Sequence, residues 1–450
     1  MEFNTASVNR KLVKIAAPIA IQGIVSATLT MVDNIMVGFL GETELAAVGV
    51  GSQLFMVHYL VLFGILSGSA TFMAQFYGTK DMGNIRKVIG FDFSLLAAFG
   101  AVIFLLTNCF TDGILSLYTD DPAVKALAAQ YVRINSFSFL LMAVSAPLEM
   151  AFKATQQVRI PMIISSIIFF ANISINYVLI FGKLGFPKMG VAGAAIGTLS
   201  SRIIEVLMNS YFAFRDKNEF FGSMRSYFGW DRELIKRIIK NATPTTLNEF
   251  LWSFGQTMYV AAFSRISTTA YAAYQAANSI FNIFNFAAFS IGDSALILVG
   301  EKLGEGDMEY TWKLSRHFIK VCLLAGIIIG TITILLSEPL SGLFKLSEAG
   351  KMYTKYILIV FGATMAADLF NGLQIAGILR AGGDTKFAML SESACIWLIA
   401  VPLAFIASLV WHLPVHMALL VTRTEMLIRG AILAKRYLSK KWMNTVITDL

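Results

Sequence analysis

Twelve long apolar segments run through this chain of 450 residues and leave few folds open to it. Most are as long as the roughly 20 apolar residues that a helix needs to cross a bilayer, and short polar turns separate them. The segments lie at 12–39, 45–77, 85–108, 124–150, 160–182, 189–215, 236–263, 270–301, 312–335, 352–379, 386–409 and 414–434. The pattern predicts an all-α integral membrane protein with twelve transmembrane helices.

The composition agrees with a lipid environment and excludes several partners. Hydrophobic residues make up 56% of the chain and charged residues only 14%, whereas a soluble protein carries about 25% charge. The net charge of +8 comes from basic residues spread between apolar segments, so we expect no nucleic-acid partner. Cys109, Cys322 and Cys395 are far apart and fit no metal-ligand spacing, which predicts neither a metal site nor a cofactor. The polar N-terminus leads directly into a long segment, so we expect no removable signal peptide.

The distribution of basic residues predicts how the chain crosses the membrane. With the N-terminus in the cytoplasm, the inner loops carry most of the lysine and arginine, for example Arg86 and Lys87, while the outer loops carry few, such as Lys125 and Lys183. Twelve crossings then return the C-terminus to the same side. We therefore expect a multi-pass plasma-membrane protein with both termini in the cytoplasm.

An internal repeat divides the chain into two halves. A shift of 226 residues aligns Pro18 with Pro244 and Asp81 with Asp307. Six helices per repeat is an even number, so both copies enter the membrane in the same direction, as in alternating-access transporters with a binding cavity between the halves. The predicted domains are an N-terminal six-helix bundle (1–216), a cytoplasmic connector (217–231) with an interfacial, amphipathic character, and a C-terminal six-helix bundle (232–450).

Asp33 is the most informative single residue. It lies about 20 residues into the first apolar segment, where an ionised carboxylate costs several kcal/mol unless it is neutralised, paired or hydrated. An ionisable group at such a position marks an ion or substrate path. The simplest alternative is a structural hydrogen bond from Asp33 to a neighbouring helix.

Several sequence stretches resemble the multidrug and toxic compound extrusion (MATE) family, in order and over essentially the whole chain. They are MVDNIMVGFLGETELAAVGV (31–50), GTKDMGNIRK (78–87), NISINYVLIFG (172–182), GVAGAAIGT (190–198) and LRAGGDTK (379–386). The resemblance implies two pseudo-symmetric six-helix bundles around a central V-shaped cavity. It also implies an exporter that exchanges a cytoplasmic organic compound, often cationic, for an incoming H⁺ or Na⁺.

The resemblance also assigns roles to individual residues. Asp33 falls at the family's acidic position in the first helix, and Asn172 and Asn176 fall on fifth-helix positions that face this cation site. Pro18 falls where a proline lets the first helix bend, and its repeat partner Pro244 is a second candidate hinge. No ATP-binding loop is present, so the transport is expected to be secondary.

Helix geometry places these groups at one depth. At ~1.5 Å of rise per residue, Asp33 lies in the outer third of the first helix, and Asn172 and Asn176 lie one turn apart in the outer half of the fifth. Thr198 is at similar depth in the sixth helix. We therefore predict that their oxygens converge on one monovalent cation, or on a protonated Asp33. The low dielectric disfavours the charged carboxylate and suits a proton carrier, while the same oxygens suit sodium equally well.

The C-terminal half offers candidate cavity residues. Glu249 follows Pro244 by five residues near mid-membrane, where it either lines the substrate cavity or pairs structurally with Arg202 or Arg423. Asp368 is also near mid-membrane, where a role in lining the cavity and a purely structural role are both open. The remaining candidate substrate contacts are Trp252 and Tyr259.

Other charged groups within the segments are assigned structural roles. Arg202 and Glu205 are three residues apart and can pair with each other, and Arg423 and Glu425 can pair with neighbouring helices. Asp293 and Glu149 lie toward the cytoplasmic ends of their helices, where a gating role and a simple reach toward the interface remain alternatives.

The predicted function is secondary active export of small organic, lipophilic cationic compounds by a protein that acts as a monomer in the lipid bilayer. The nearest alternative is a flippase of lipid-linked saccharide precursors, for which a strongly basic cavity would be expected. An intramembrane enzyme would need a nucleophile–base or metal set, and the sequence has no HExxH motif. A receptor that does not transport is disfavoured by the repeat.

Overall fold

The computed structural model describes residues 4–215, 218–344 and 346–448, with the side chains at 283 and 286–288 not described. All regular secondary structure in these residues is helical, and each of the twelve predicted segments corresponds to a helix. The helices are α1 Thr5–Gly38, α2 Glu42–Gly78, α3 Met82–Cys109, α4 Pro122–Asn135 continued by Phe137–Ala154, α5 Arg159–Phe181, α6 Val191–Ala213, α7 Arg232–Ser264, α8 Thr268–Gly304, α9 Met308–Leu335, α10 Glu348–Leu379, α11 Thr385–Val410 and α12 Val415–Arg423 continued by Glu425–Leu438.

Nine of these helices in the described part of the chain are long and apolar enough to cross a membrane by themselves. Among the others, α7 carries Asn241, Asn248 and Glu249, and α12 is divided into pieces of nine and 14 residues. The α8 helix includes the side chains that are not described.

Two helices differ from the sequence expectation by a break at a hydroxyl residue. In α4 the hydroxyl of Ser136 donates to the carbonyl of Arg133, and in α12 the hydroxyl of Thr424 donates to the carbonyl of Val421. Such side-chain bonds compete with the helical backbone ladder and bend it. The α10 and α11 helices also depart locally from a straight α-helix, with π-helical turns at Leu373–Leu379, Ile396–Ala400 and Ile406–Val410.

The structure confirms the internal repeat down to its turns. The α2 and α8 helices both have 37 residues, and α3 and α9 both have 28. The side chain of Asp81 caps α3, and that of Asp307, 226 residues later, caps α9. The residue before each cap has positive φ, at 60° for Lys80 and 78° for Gly306. Glycine adopts this conformation without steric cost, whereas the same backbone conformation is strained at Lys80.

The chain forms two compact units. One comprises Met1–Ala20 and Arg237–Leu450, and the other comprises Ile21–Lys236. In the first unit, the amine of Lys11 on α1 pairs with Glu301 on α8 at 2.8 Å. The predicted boundary at 216/217 lies outside the described residues, and the division into domains at that point stays a prediction.

The connector packs against helices of its own unit. Phe220 is fully buried and its ring lies 5.2 Å from that of Phe152, while Tyr227 is also buried. A Cβ at Gly90 of α3 would lie 1.7 Å from the carbonyl oxygen of Tyr227, so only glycine permits this approach. Phe221 and Phe228 remain exposed, which fits the amphipathic character predicted for this segment.

Candidate functional site

Asp33 lies beside the two asparagines of α5. The Nδ2 atom of Asn176 donates to Oδ1 of Asp33 and to Oδ1 of Asn172, both at 2.8 Å. The two asparagines are one helical turn apart, which puts them on the same face of α5, and both are buried. Asp33 itself is half-buried. The structure therefore brings together three of the four polar residues that the sequence places at one depth.

The surroundings of this site are apolar. Met36 and Val37 of α1 belong to a buried cluster with Ile180 of α5 and Ala194 of α6, and Val32 packs against it. Among the described residues, no lysine or arginine forms an ion pair with Asp33. An unpaired carboxylate in low dielectric is stabilised by taking up a proton or another monovalent cation. The surroundings are those predicted for a cation site, and the role of Asp33 in binding a cation stays a prediction.

Gly197 of α6 provides the space for Asn176. A Cβ at this position would lie 1.8 Å from Oδ1 of Asn176, so any side chain here would displace the amide. That Oδ1 atom is buried and has no hydrogen-bond partner among the described residues. The neighbouring Thr198 donates its hydroxyl to the carbonyl of Ala194, and no described hydrogen bond joins it to Asp33.

Replacing Gly197 with alanine is expected to disrupt the cation site without removing any of its polar groups. The added methyl group must push Asn176 away from Asp33, because two atoms that are not bonded to each other cannot approach as closely as 1.8 Å. We expect a large loss of the ion-coupled transport that the sequence predicts. Gly49→Ala is the matched control, because its Cβ would meet nothing within 4 Å. Normal coupling in the Gly197 variant would show that the amide position is not required.

Glu249 is neutralised by a partner that the sequence did not indicate. Its Oε1 atom accepts from Arg380 of α10 at 3.1 Å, and Arg380 is only 4% exposed at its side chain. The prediction that a structural partner would be Arg202 or Arg423 was wrong. The two residues are 131 positions apart, so helix packing and not local spacing brings them together.

Asp368 has a looser partner. The nearest guanidinium atom of Arg423 is 3.8 Å away, whereas the same guanidinium donates to the hydroxyl of Thr364 at 2.8 Å. Arg423 also lies over the rings of Phe281 and Phe361, at 5.0 and 4.5 Å from their centroids. Because Arg423 is held mainly by these other groups, Asp368 keeps a partly exposed carboxylate that can meet a positively charged molecule.

The other predicted cavity and hinge residues have different environments. Trp252 of α7 is 37% exposed. Tyr259 is buried, with 8% of its surface exposed, and lies close enough to Glu425 and Arg429 to interact with their charges. Pro18 lies inside α1 and Pro244 inside α7, and both helices continue through the proline. Each proline removes a backbone donor from the helical ladder, which creates a weak point for bending.

The remaining candidate charged groups of the unit that comprises Ile21–Lys236 form ion pairs within their own helices. Arg202 pairs with Glu205 at 2.6 Å, which confirms that prediction. Glu149 accepts from Lys153 and from Nε2 of Gln22, both at 2.8 Å. Together these contacts neutralise Glu149 near the C-terminal end of α4. In the first unit, Asp293 also interacts with described residues, in the neighbourhood of Glu249.

Sequence reasoning missed a buried charge network in the C-terminal half. Glu392 of α11 accepts from Arg429 of α12 at 2.6 Å, and Arg429 also donates to Glu425 at 3.1 Å. Asn248 of α7 donates to the second oxygen of Glu392 at 2.8 Å. The four-residue spacing of Glu425 and Arg429 was a visible signal for half of this network. Nothing in the sequence pointed to Glu392.

Comparisons with known proteins agree with this architecture. The family model MatE matches residues 18–178 and 244–406, which is most of both repeats. The chain belongs to the MATE family. Its members are transporters and not enzymes, and the protein is accordingly a multi-pass membrane transporter of the same architecture.

Similar proteins cover nearly the whole chain. A probable multidrug resistance protein NorM of Thermotoga maritima is 26% identical over 443 residues, covering 97% of this chain and 93% of that protein. A probable multidrug resistance protein YoeA of Bacillus subtilis is also 26% identical, covering 89% and 87%. The multidrug resistance protein MdtK of Edwardsiella ictaluri is 24% identical, covering 89% and 88%.

Solved MATE structures share the fold at low sequence identity. A MATE transporter in complex with MaL6 superposes with a TM-score of 0.87 and 18% identity, covering 96% of this chain and 97% of that one. A multidrug resistance MATE family transporter in an outward-facing conformation matches equally well, with a TM-score of 0.87 and 18% identity, covering 96% of this chain and 97% of that one. The twelve-helix fold predicted from the sequence is thereby confirmed.

Proposed function

We propose that this protein is an antiporter that exports small organic, lipophilic cations in exchange for H⁺ or Na⁺. The observation that carries the proposal is Asp33, a half-buried carboxylate that contacts Asn176 and has no ion-pair partner among the described residues. Such a group can bind an incoming cation and release it again, because neither state is locked by a permanent positive neighbour. The similar proteins named for multidrug resistance support an organic cargo.

Cation binding at Asp33 would act through α1. The hydrogen bond from Asn176 ties the outer part of α1 to α5, and Pro18 gives α1 a place to bend nearer the cytoplasm. Neutralising Asp33 changes the strength of this hydrogen bond, because hydrogen bonds to charged acceptors are stronger than those to neutral acceptors. Alternating access then follows from two positions of α1, with Pro244 providing the corresponding weak point in α7.

The cargo contacts are proposed for the C-terminal half. Asp368 has the partly exposed carboxylate described above, and Trp252 offers an exposed aromatic face to a lipophilic cation. Glu249 is a weaker candidate, because its pairing with Arg380 already balances its charge. The exclusion of an anionic lipid-linked cargo therefore depends on Asp33 and Asp368 and not on Glu249.

Replacing Asp368 with asparagine is expected to weaken the apparent affinity for cationic substrates roughly tenfold. This factor corresponds to a loss of about 1.4 kcal/mol of binding free energy. Ion coupling should persist, because Asp33 is unchanged. The measurement is the substrate dependence of export with a cationic dye in proteoliposomes. Asp112→Asn is the control, since Asp112 is exposed. An unchanged KM would exclude Asp368 from the cargo site.

The proposed antiport is tested with purified protein in proteoliposomes under separately imposed pH and sodium gradients. One of the two gradients should drive accumulation of an organic cation, and the other should not. If neither gradient drives transport, the proposal is overturned. In cells, loss of the protein should raise sensitivity to cationic drugs. Accumulation of lipid-linked saccharide precursors without a change in drug sensitivity would support the flippase instead.

We propose a cytoplasmic location for both termini, on the basis of the lysine and arginine distribution. This orientation puts the end of α3 on the outer side, where Cys109 is an exposed free thiol. A membrane-impermeant maleimide added to intact cells is expected to label the protein, and Cys109→Ser should abolish the labelling because Cys322 and Cys395 are buried. Labelling only after the cells are opened would reverse the proposed topology.

A further inference from the structure

The buried charge network of the C-terminal half consists of Asn248, Glu392, Glu425 and Arg429, which we call the α11–α12 network. Its side chains come from α7, α11 and α12. The exposed fraction of the side chain is 5% for Arg429, 10% for Glu392 and 4% for Glu425. Water therefore contributes little to stabilising the charges, and the network must balance them internally.

The charges of the network do not balance when all of its groups are ionised. Two carboxylates share one guanidinium, and among the described residues Arg429 is the only basic side chain that pairs with Glu392 or Glu425. The nearby basic residues are engaged elsewhere, since Arg380 pairs with Glu249 and Arg423 contacts Thr364 and, more loosely, Asp368. One negative charge in excess is costly in a low-dielectric interior, so the network needs one additional positive charge.

The hydrogen bonds indicate which oxygen would receive this charge. Both oxygens of Glu392 are engaged, one by Arg429 and the other by Asn248. In Glu425 only Oε1 has a partner among the described residues, while Oε2 is buried and has none there. The Oδ1 atom of Asn248 is likewise buried without a partner, so a free acceptor is present in the same network. Two unpartnered, deeply buried oxygens thus accompany the charge imbalance.

The other titratable and charged groups around the network do not remove the imbalance. Those that act on it electrostatically are Glu249, Tyr259, Asp368, Cys395 and Arg423. Arg423 is the one cation among them, and it is engaged by Asp368, Thr364 and two phenylalanine rings. Asp368, which is only loosely paired, adds negative potential and so favours uptake of a cation by the network, whereas Arg380 balances Glu249.

We propose that the α11–α12 network is a second proton-binding site, separate from Asp33, with the proton carried on Oε2 of Glu425. The proton comes from water and forms an O–H bond at the unpartnered oxygen, which cancels the excess charge and leaves the Glu392–Arg429 pair ionised. A proton fits better than a sodium ion, because only one carboxylate oxygen lacks a partner and a sodium ion requires several oxygen ligands.

A second proton site changes the expected stoichiometry of transport. The network joins α7, α11 and α12, so loss or gain of its proton would change how firmly these helices are held together. This role rests on the antiport proposed above, whereas the protonation of Glu425 does not. The binding site is therefore tested with a measurement that needs no transport.

The test is pH-difference infrared spectroscopy of the purified protein in lipid, which detects protonated carboxyl groups directly. Wild-type protein should show a protonated glutamate band that disappears in Glu425→Gln. Glu338→Gln is the matched control, because Glu338 is exposed and pairs with Lys355. The Glu425 variant should fold, since it retains a balanced Glu392–Arg429 pair. Asp33→Asn should leave the glutamate band unchanged, which separates this site from the one in the N-terminal half.

Labelling of all glutamates with ¹³C provides a test without any substitution. The band should shift with the label, as expected for glutamate and not for aspartate. A spectrum of Glu425→Gln identical to that of the wild type overturns the proposal. A band that responds to sodium at constant pH, and not to pH itself, overturns the assignment to a proton. Failure of transport in proteoliposomes affects neither result and would count only against the antiport.

Discussion

Asp33→Asn is expected to reduce gradient-driven export to the level of liposomes without protein, while the protein still inserts and folds. Asparagine keeps the size of the side chain and an oxygen that can accept the hydrogen bond from Asn176. It cannot take up and release a proton, and it offers no charge to sodium. The structural contact is thus retained while the ion chemistry is lost. Export of a cationic dye under imposed gradients provides the measurement.

The control for this variant is Asp120→Asn, which makes the same chemical change at a position outside the helices. Equal amounts of both proteins in the membrane, and equal thermal unfolding temperatures in detergent, would show that folding is not affected. Full export by Asp33→Asn would refute the coupling role. Loss of folding with loss of export would favour the structural alternative, in which Asp33 serves only to hold α1 against α5.

Arg429→Gln is expected to be the most destabilising single substitution in the C-terminal half. It leaves Glu392 and Glu425 buried without a cation, and removing one partner from a buried ion pair costs about 3–5 kcal/mol. The expected result is a large drop in the thermal unfolding temperature of the purified protein, most pronounced at high pH. At low pH both acids can be neutralised by protons, and part of the stability should return.

Two comparisons show whether this loss comes from charge. Arg133→Gln makes the same change at an exposed position of α4 and should have little effect. At high pH, where Glu425 loses its proton, the double variant Glu425→Gln/Arg429→Gln leaves one buried carboxylate instead of two, so it should be more stable there than Arg429→Gln alone. A double variant that is less stable than the single variant would mean that packing, and not charge, dominates at this site.

The cluster of Asp33, Asn172 and Asn176 in the N-terminal half was largely predictable. Asp33 stands out because a carboxylate is rare inside an apolar segment, and the four-residue spacing of Asn172 and Asn176 puts both on one helical face. Their contact in the structure follows from equal depth along two helices. The role of Gly197 was not predicted, because a missing side chain has meaning only when the neighbouring helix is known.

The partners of the C-terminal acids were not predictable in the same way. Arg380 lies at the end of α10, and the sequence analysis did not consider it as the partner of Glu249. It did not consider Arg429 either, because a basic residue toward the end of a helix normally extends to the interface. In this fold both arginines are nearly fully buried.

The sequence by itself determined the twelve helices, their division into two repeats and the family. Those properties depend on apolar length, on periodic spacing and on turns such as the paired caps at Asp81 and Asp307, all of which are local along the chain. Only the tertiary structure decided which charges neutralise each other. The ion pair of Glu249 and Arg380 joins residues 131 positions apart, and in a low-dielectric interior the choice of partner determines which acids remain able to bind a cation.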